Sequence, residues 1–343
     1  MRSTLVLLPI LLASCNTPGP QMATSGPRMR ASLAAVWPAS APARQSTFSR
    51  DGTLLATSDA SGAITIRSTR DWKILEQLRH PGGATSVVFG RDGAHVFSSG
   101  YDGLIRDWDV RTGRMTSTMR GSRSTVWTID VSPDGTELVS GGEDGIIRLW
   151  TIGRAQPPAL LKGHSRNIWE VQFSRDGRHL ASGSFDADAR LWDITTGKTV
   201  AVLKGHTQAV VGLDYSPNGQ ILATGADDST IRLWRATDGG MLRVINNGLH
   251  VDKVAFSPDG RWLASGGHAR GAVATLWHQL TGAGADGDSV RVWRVADGAL
   301  VAALPHPDDV IFVALSRDGR WLVTSGEDNA FRLWRLTILN DAG

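Results

Sequence analysis

The stretch IWEVQFSRDGRHLASGSFDADARLWDITTGKTVA, residues 168–201, decides the fold because variants of it recur to the end of the chain. Each copy has an apolar run ending in a small residue, a polar turn ending in Gly, a second apolar run, an acidic turn and a third run. In six copies the third run ends in Arg-x-Trp. The turn glycines, 41, 42, 42, 42, 41 and 59 residues apart, are Gly52, Gly93, Gly135, Gly177, Gly219, Gly260 and Gly319. A repeat of roughly 40–45 residues with four strands is typical of a propeller blade.

The runs within this stretch predict four short strands. Ile168–Ser174 alternates apolar and polar residues, the Arg-Asp-Gly at 175–177 turns the chain, and His179–Ser184 is the second run. Ala189–Ile194 and residues 197–203 follow as the third and fourth runs. Runs of about five to seven residues bounded by turn chemistry are typical of strands. The sequence therefore predicts an all-β fold, a seven-bladed β-propeller of four-stranded antiparallel blades.

An N-terminal strand, Ser32–Trp37, is predicted to complete the last blade. Val36 lies 13 residues before the serine that ends the first apolar run, the place taken in other repeats by the outer-strand residues Leu161, Leu203 and Val244. The residues after the last Arg-x-Trp are a poor fourth strand. Closing the ring with the N-terminal strand leaves no open sheet edge. The alternative is a leader without structure.

Composition and charge narrow the class of protein. Of 343 residues, 20% are charged, 7% are aromatic and 39 are glycine, which fits a folded, turn-rich β protein. The formal net charge is +3 and no run of Lys and Arg follows one face, so we expect no nucleic-acid partner. The acidic turn at 286–288 does not have the spacing of an ion-binding loop, and no motif predicts a metal or a cofactor.

The first fourteen residues, MRSTLVLLPILLAS, have the layout of a secretory signal peptide, with an early basic residue, an apolar core and small residues at the end. The core is too short to span a bilayer. The end, Leu-Ala-Ser followed by Cys15, resembles the lipobox of bacterial lipoproteins. That resemblance implies lipid on Cys15 and stable membrane anchoring. The alternative is an ordinary exported protein.

The residues after the cysteine bear on location and reach. Asn16 follows, rather than the Asp associated with inner-membrane retention, so the resemblance favours the periplasmic side of the outer membrane. Residues 15–29 are rich in Pro, Gly, Ser and Thr and are predicted to form a flexible tether. The propeller itself is predicted over residues 30–343.

The sixth repeat carries an insertion, residues 268–287 (HARGAVATLWHQLTGAGADG). It holds an apolar run that includes Trp277 between glycine-rich flanks. Loop insertions in repeat proteins usually fall on one face, often the binding face. The insertion is therefore either part of a binding surface, with Trp277 among its contacts, or a hairpin packed on its own blade.

The repeats resemble those of WD40-repeat proteins, and the resemblance covers roughly residues 32–337. In that family a structural tetrad consists of a His before the first strand, a Ser or Thr in the second, an Asp in the tight turn and a Trp in the third. The matching residues of four repeats are His80, Ser98, Asp102 and Trp108; His164, Ser182, Asp186 and Trp192; His206, Thr224, Asp228 and Trp234; and His306, Thr324, Asp328 and Trp334. The third repeat has Ser122 in place of the His, the sixth offers Asn247, and the first has neither His nor Trp.

The resemblance implies that each tetrad is a hydrogen-bond relay that fixes its blade. Ser, His and Asp together could also suggest a hydrolase triad. Catalysis needs one such set at one cleft, whereas these sets are spread around a ring, so we predict no catalytic residues. The arginines two residues before each Trp are expected to pack between blades with their heads paired to acids, rather than to form a basic ring: Arg106, Arg148, Arg190, Arg232, Arg291 and Arg332.

By the same resemblance, partners bind the face that carries the loops between blades. Three positions per blade point there: seven and five residues before the Ser that ends the first strand, and the residue before the turn Asp. In this chain they are Tyr101, Trp127, Glu143, Trp169, Phe185, Val211, Asp227, His250, Asp252, Ile311 and Glu327. Large aromatic residues on an exposed rim are typical of binding hot spots. The alternative is that each ring caps the channel of its own blade and contacts no partner.

The sequence as a whole predicts an exported, lipid-anchored propeller that acts as a non-catalytic platform for other proteins of the cell envelope. One alternative is an assembly factor that scaffolds a multiprotein complex at the envelope. Another is an enzyme or small-ligand sensor that uses the central channel.

Overall fold

The computed structural model describes residues 21–23, 25–120, 122–268 and 287–339. All the elements of regular secondary structure in these residues are β-strands. No helix in this part of the chain has the length and apolar character needed to cross a membrane. The signal sequence, Cys15, Trp277 and nearly all of the insertion lie outside the described residues.

In the described part of the chain, twenty-eight strands form seven four-stranded antiparallel sheets, so the predicted seven-bladed propeller is confirmed. The first half of the strands are β1 (Arg28–Pro38), β2 (Ala43–Phe48), β3 (Leu54–Asp59), β4 (Ala63–Ser68), β5 (Ile74–Arg79), β6 (Ala84–Phe89), β7 (His95–Gly100), β8 (Leu104–Asp109), β9 (Met115–Arg120), β10 (Val126–Val131), β11 (Glu137–Gly142), β12 (Ile146–Thr151), β13 (Ala159–Lys162) and β14 (Ile168–Phe173). The second half are β15 (His179–Ser184), β16 (Ala189–Asp193), β17 (Lys198–Leu203), β18 (Val210–Tyr215), β19 (Ile221–Ala226), β20 (Thr230–Arg235), β21 (Met241–Asn246), β22 (Lys253–Phe256), β23 (Trp262–Gly266), β24 (Gly287–Arg294), β25 (Leu300–His306), β26 (Val310–Leu315), β27 (Trp321–Gly326) and β28 (Ala330–Leu339).

Each blade takes four strands in chain order, except the last. Blades 1 to 6 are β2–β5, β6–β9, β10–β13, β14–β17, β18–β21 and β22–β25, with the first strand of each innermost. Blade 7 consists of β26, β27, β28 and β1, so an N-terminal strand supplies its outer edge, as predicted.

The closing strand is longer than the predicted Ser32–Trp37. β1 pairs with β28 from Arg28 to Pro38, and the side chain of Met29 is buried against blades 6 and 7. Upstream of it, Met22 forms an isolated bridge with Leu300 of blade 6. The tether predicted over 15–29 therefore already contacts the propeller in its second half, because apolar residues there reach the core despite the polar composition around them.

The outer strands were aligned by counting 13 residues back from the strand-ending Ser, and the residues found in this way lie in two different registers. Val36 and Val244 pair with arginines on the third strand and are 48% and 47% exposed, whereas Leu161 and Leu203 pair one position earlier and are 4% and 1% exposed. The residue of β1 that takes the buried position is Trp37. A shift of one residue moves a side chain to the other face of a strand, so the count found the strand but not its inward face.

Three tryptophans fill the seam between blades 7 and 1, where the first repeat lacks the tetrad Trp. The rings of Trp37 and Trp321 lie 5.7 and 5.3 Å from that of Trp72. Arg67, which stands in the place of the missing Trp, lies over the Trp37 ring at 4.5 Å. Trp72 adopts a φ of 61°, in a turn position that glycine occupies in other blades, for example Gly113. Aromatic packing at the seam thus offsets the cost of the strained backbone at Trp72.

Side chains of the inner strands also join successive blades. The oxygens of Gln45 and Gln172 accept the backbone N–H of the residues 42 and 43 positions later, both at 2.9 Å. Asp130 and Asp214 do the same at 2.8 and 2.7 Å. Because donor and acceptor lie one repeat apart, the same bond recurs from blade to blade and sets their relative rotation.

The predicted tetrads are complete in blades 4 and 5. In blade 4, Ser182 is 2.7 Å from His164 Nε2 and accepts from the Trp192 indole at 2.8 Å, while His164 Nδ1 donates to Asp186 at 2.9 Å. Blade 5 repeats the relay with a Thr: His206, Thr224, Asp228 and Trp234. In blade 2 the relay is also present, with the ring of His80 reversed: Ser98, Asp102 and Trp108 complete it.

Blades 3 and 7 depart from the prediction. His306 is bonded to Thr324 at 2.8 Å, but its Nδ1 faces the carbonyl of Leu304 at 3.3 Å rather than Asp328. Burial lowers the pKa of His306 to about 4, so the ring is neutral. In blade 3, Ser122 bonds to Ser124 and does not replace the histidine. The indoles of Trp150 and Trp334 keep their hydroxyl partners, Ser140 and Thr324. In blade 6, Asn247 takes the place of the histidine and bonds Ser265 at 2.9 Å.

An arginine holds the turn aspartate wherever the histidine alone does not. Arg148 pairs with Asp144 at 2.7 Å in blade 3, Arg332 pairs with Asp328 in blade 7, and Arg106 assists in blade 2. In blades 4 and 5 the histidines hold the aspartates, and there Arg190 and Arg232 have no such pair among the described residues. The expected pairing with acids is therefore right for three blades and wrong for these two. Arg291 donates to the carbonyl of Asn247.

Candidate functional site

The inner strands of five blades begin with a β-bulge at the same place. In blades 2, 3, 4, 5 and 7 the register with the second strand shifts between the first and third residues of the inner strand. The extra residue and its successor can then both face the ring centre, which regular alternation forbids. The extra residues are Thr85, Trp127, Trp169, Val211 and Ile311.

These bulges line a cavity of about 630 Å³ at one mouth of the central channel. Its size is that of a ligand-binding site. Nine of the residues predicted for the binding face line it: Trp127, Trp169, Phe185, Val211, Asp227, His250, Asp252, Ile311 and Glu327. Tyr101 and Glu143 do not; Tyr101 packs behind Trp127, and Glu143 is exposed on the rim.

A continuous aromatic ladder forms one wall of this cavity. Tyr101 meets Trp127 edge to face at 5.7 Å, Trp127 stacks on Trp169 at 4.7 Å, and Phe185 lies 6.2 Å beyond. The indole nitrogens of both tryptophans are buried and have no hydrogen-bond partner within the described residues. Phe185, at 42% exposed, ends the ladder at the rim. The wall is thus preformed from aromatic rings that pack on one another.

Acidic and histidine side chains form the neighbouring wall, on blades 5 and 6. His268 Nδ1 lies 2.6 Å from Asp252, and His250 lies 3.8 Å from Asp227. The two imidazole rings are 4.7 Å apart. Burial, reinforced by the charge of Asp252, raises the pKa of Asp227. In the described part of the chain, no set of three or more His, Cys, Asp and Glu has a metal-binding arrangement.

A buried ion pair crosses the floor of the cavity. Lys253 of blade 6 reaches past blade 5 to Glu170 of blade 4, with nitrogen and oxygen 2.8 Å apart and both side chains at most 14% exposed. Its ammonium also lies 4.8 Å from the Phe312 ring centroid. Gly212 makes the crossing possible, since a Cβ there would lie 2.8 Å from the Lys253 backbone. Desolvation raises the pKa of Glu170, and the lysine opposes that shift.

Sequence reasoning missed this pair and most of the floor. Strand alternation places only one of two consecutive residues towards the centre, so it selected Trp169 and Asp252 and left out their successors Glu170 and Lys253. The signal that could have revealed the pair is a charged residue four positions before the strand-ending Ser. It occurs as Glu170 in the fourth repeat and as Lys253 in the sixth. His268 was missed because it begins the predicted insertion.

The repeat family is shown directly by comparison with family models. The model described as "WD domain, G-beta repeat" matches residues 72–109, 113–151, 155–193, 197–235, 243–294 and 298–335, well over half of the chain. The chain belongs to the WD40-repeat family. The match begins at residue 72 and therefore leaves out most of blade 1, whose repeat lacks the tetrad His and Trp. This blade of the WD40 propeller is identified from the structure.

Similar curated proteins match over short segments. The chain is 34% identical to apoptotic protease-activating factor 1 of Homo sapiens over 26% of this chain and 8% of that protein. It is 35% identical to a coronin-like protein of Saccharomyces cerevisiae over 20% of this chain and 11% of that protein. With mitotic checkpoint protein bub3 of Dictyostelium discoideum it shares 35% identity over 16% of each. The chain thus aligns with less than a fifth of each of these relatives.

Proposed function

We propose that this WD40 propeller is a non-catalytic platform that binds another protein through the cavity lined by the aromatic ladder. The observation that carries the proposal is the aromatic ladder, whose members Trp127, Trp169 and Phe185 line the channel mouth. Clustered Trp and Tyr side chains are the residues most enriched in binding hot spots. Propellers of this repeat family typically bind other proteins, which agrees with that use of the site.

The chemistry of the cavity favours a cationic side chain, Arg or Lys, as the group inserted by the partner. Its lining contains five carboxylates against one arginine, one lysine and two histidines, and Lys253 is already paired with Glu170. Aromatic rings and carboxylates on neighbouring walls both attract a desolvated cation. The acids that would face it are Asp227, Asp252, Asp309 and Glu327.

The test of this site is a double substitution of Trp127 and Trp169 by Ala. We expect partner binding to weaken by at least about 100-fold, since each hot-spot Trp contributes on the order of 2 kcal/mol. Proteins captured from envelope extracts by the native propeller are identified, and their binding to the two forms is measured by calorimetry. A matched control replaces Leu242 and Val244, exposed at 46% and 47% on an outer strand, with Ala. Equal binding by a folded tryptophan variant would contradict the proposal.

We also propose that the mature protein is anchored by lipid at Cys15 to the bacterial envelope, on the periplasmic side of the outer membrane. Support comes from the lipobox-like end of the signal sequence. Cys15→Ala should abolish incorporation of radiolabelled fatty acid and move the protein to the soluble fraction, with no change in the melting temperature of the propeller. Labelling that persists in this variant would refute lipidation at Cys15.

A second candidate is a small-ligand sensor or enzyme that uses the same channel. The observation in its favour is the close approach of His250, His268, Asp227 and Asp252. An envelope assembly factor remains within the main proposal, since it differs only in the number of partners. A small-molecule ligand, rather than a protein, recovered with the native propeller and lost with His268→Ala would favour the sensor.

A further inference from the structure

The opposite mouth of the channel is lined by four arginines from four blades. The inner strands run from the aromatic cavity to this mouth, where a separate cavity of about 280 Å³ opens. The arginines follow the strand-ending Ser or Gly of blades 1, 2, 4 and 7 and are Arg50, Arg91, Arg175 and Arg317. In the remaining blades the same position is Pro133, Pro217 or Pro258. Because the position is the same in every repeat, the four side chains form part of one ring.

Positively charged side chains outnumber negatively charged ones in the lining of this mouth. Arg50 and Arg91 donate to backbone carbonyls, of Pro133 and Asp134, and Arg175 alone reaches a carboxylate, that of Asp214 at 3.3 Å. The aspartates that follow the arginines accept from the serine or the backbone of their own turns and do not line the cavity: Asp51, Asp92, Asp176 and Asp318. Four cations therefore face one small volume.

The one acidic side chain among the lining residues is Asp130. It accepts the backbone N–H of Phe173 at 2.8 Å, and burial raises the pKa of its carboxyl to about 7. Partial burial and the charges of Arg175 and Arg50 lower the pKa of Arg317, while the carboxylates of Asp214 and Asp130 oppose that shift. Like charges thus stand close enough to disfavour one another, and a bound anion would relieve that repulsion.

We propose that this mouth is a binding site for a small anion that carries phosphate groups. Guanidinium groups bind phosphate oxygens with charge-assisted hydrogen bonds. A carboxylate offers two oxygens in one plane, whereas four guanidiniums from different blades approach from different directions. A tetrahedral phosphate presents three acceptor oxygens and up to two charges to such a ring. The cavity volume suits one or two phosphate groups and excludes a folded partner. The site is separate from the aromatic cavity and does not depend on the function proposed for it.

The experiment is calorimetric titration of the native propeller with inorganic pyrophosphate, inorganic phosphate and citrate at constant ionic strength. We expect pyrophosphate to bind more tightly than phosphate, and both more tightly than citrate. Arg317→Gln and, separately, Arg50→Gln should each weaken pyrophosphate binding by about 10-fold or more. Arg320→Gln is the matched control, since this arginine belongs to the same turn but pairs with Asp318 at 2.7 Å. Asp130→Asn should strengthen binding, because it removes the opposing carboxyl.

Several outcomes would overturn the assignment. They are heat no greater than that of a matched sodium chloride titration, equal binding by Arg320→Gln and both lining variants, or citrate binding as tight as pyrophosphate. Binding restricted to long polyanions such as duplex DNA would also overturn it, since the cavity admits only small groups. The melting temperatures of all variants without anion show whether each is folded. If Arg317→Gln does not fold, Arg50→Gln and Asp130→Asn decide the question with opposite expected signs.

Discussion

Deletion of residues 28–38 should lower the melting temperature of the propeller by more than about 10 °C. The change removes β1, which pairs with β28 over its whole length, and the buried contacts of Met29 and Trp37. Each net backbone hydrogen bond contributes roughly 0.5–1.5 kcal/mol, so the ladder alone represents several kcal/mol. A loss of 1 kcal/mol shifts the melting temperature of a large domain by about 2–4 °C. Calorimetry of the deleted and native chains measures the effect.

Three tests distinguish the loss of β1 from a general effect of shortening the chain. A chain that begins at Pro27 retains β1 and should melt close to the native temperature. Trp37→Ala should cost about 3 kcal/mol, while Val36→Ala on the exposed face of the same strand should cost less than about 0.5 kcal/mol. A synthetic peptide of residues 27–38 should restore part of the lost stability. An unchanged melt after deletion would mean that β1 does not close the ring.

Lys253→Ala should destabilise the propeller by about 3–5 kcal/mol, because it leaves the carboxylate of Glu170 buried without its partner. Desolvation already raises the pKa of Glu170 in the native protein, and Lys253 opposes that shift. An acid whose folded pKa lies above its unfolded value is stabilising at low pH and loses that contribution as pH rises. The penalty of Lys253→Ala should therefore shrink as pH falls through the raised pKa that Glu170 has without its lysine, because the carboxyl is then neutral. Urea unfolding at several pH values measures both effects.

The double variant Lys253→Met with Glu170→Gln tests the same interaction from the other side. It removes both charges together, so it should cost much less than Lys253→Ala alone. Arg261→Ala is the control for a lysine-sized cation at the surface, since Arg261 and its partner Asp259 are 63% and 40% exposed. It should change stability by less than about 1 kcal/mol. A Lys253→Ala variant as stable as the control would show that the ion pair contributes little.

The sequence was sufficient to predict the fold because one pattern is repeated seven times. A copy that departs from the pattern can still be aligned with the others. It also predicted that an N-terminal strand closes the ring. It failed where a choice depends on neighbours that the repeat does not contain. Asp328 can be held by His306 or by Arg332, and the spacing of the three residues is compatible with either. The inward face of the closing strand likewise depends on one residue of register, which counting to a distant serine does not resolve.

The candidate site was predicted in part for a similar reason. Positions five residues before the strand-ending Ser are the bulge residues, so Trp127 and Trp169 were found without knowledge of the bulge. The residues that follow these two tryptophans in the sequence were not predicted, because regular strand alternation assigns their side chains to the opposite face of the strand. The ion pair between Lys253 and Glu170 could not be predicted, since it needs the gap that Gly212 leaves in the blade between theirs.

The closing strand also sets the order in which the molecule can be made. β1 ends at Pro38 and its partner β28 begins at Ala330, so about 290 residues separate two strands that must meet. At a synthesis rate of roughly 5–20 residues per second, β1 emerges some 15–60 s before its partner exists. Blades 1 to 6 can form from local contacts during this interval, while β1 waits as an unpaired strand. Ring closure is then the last step of assembly, because it joins two strands that are about 290 residues apart.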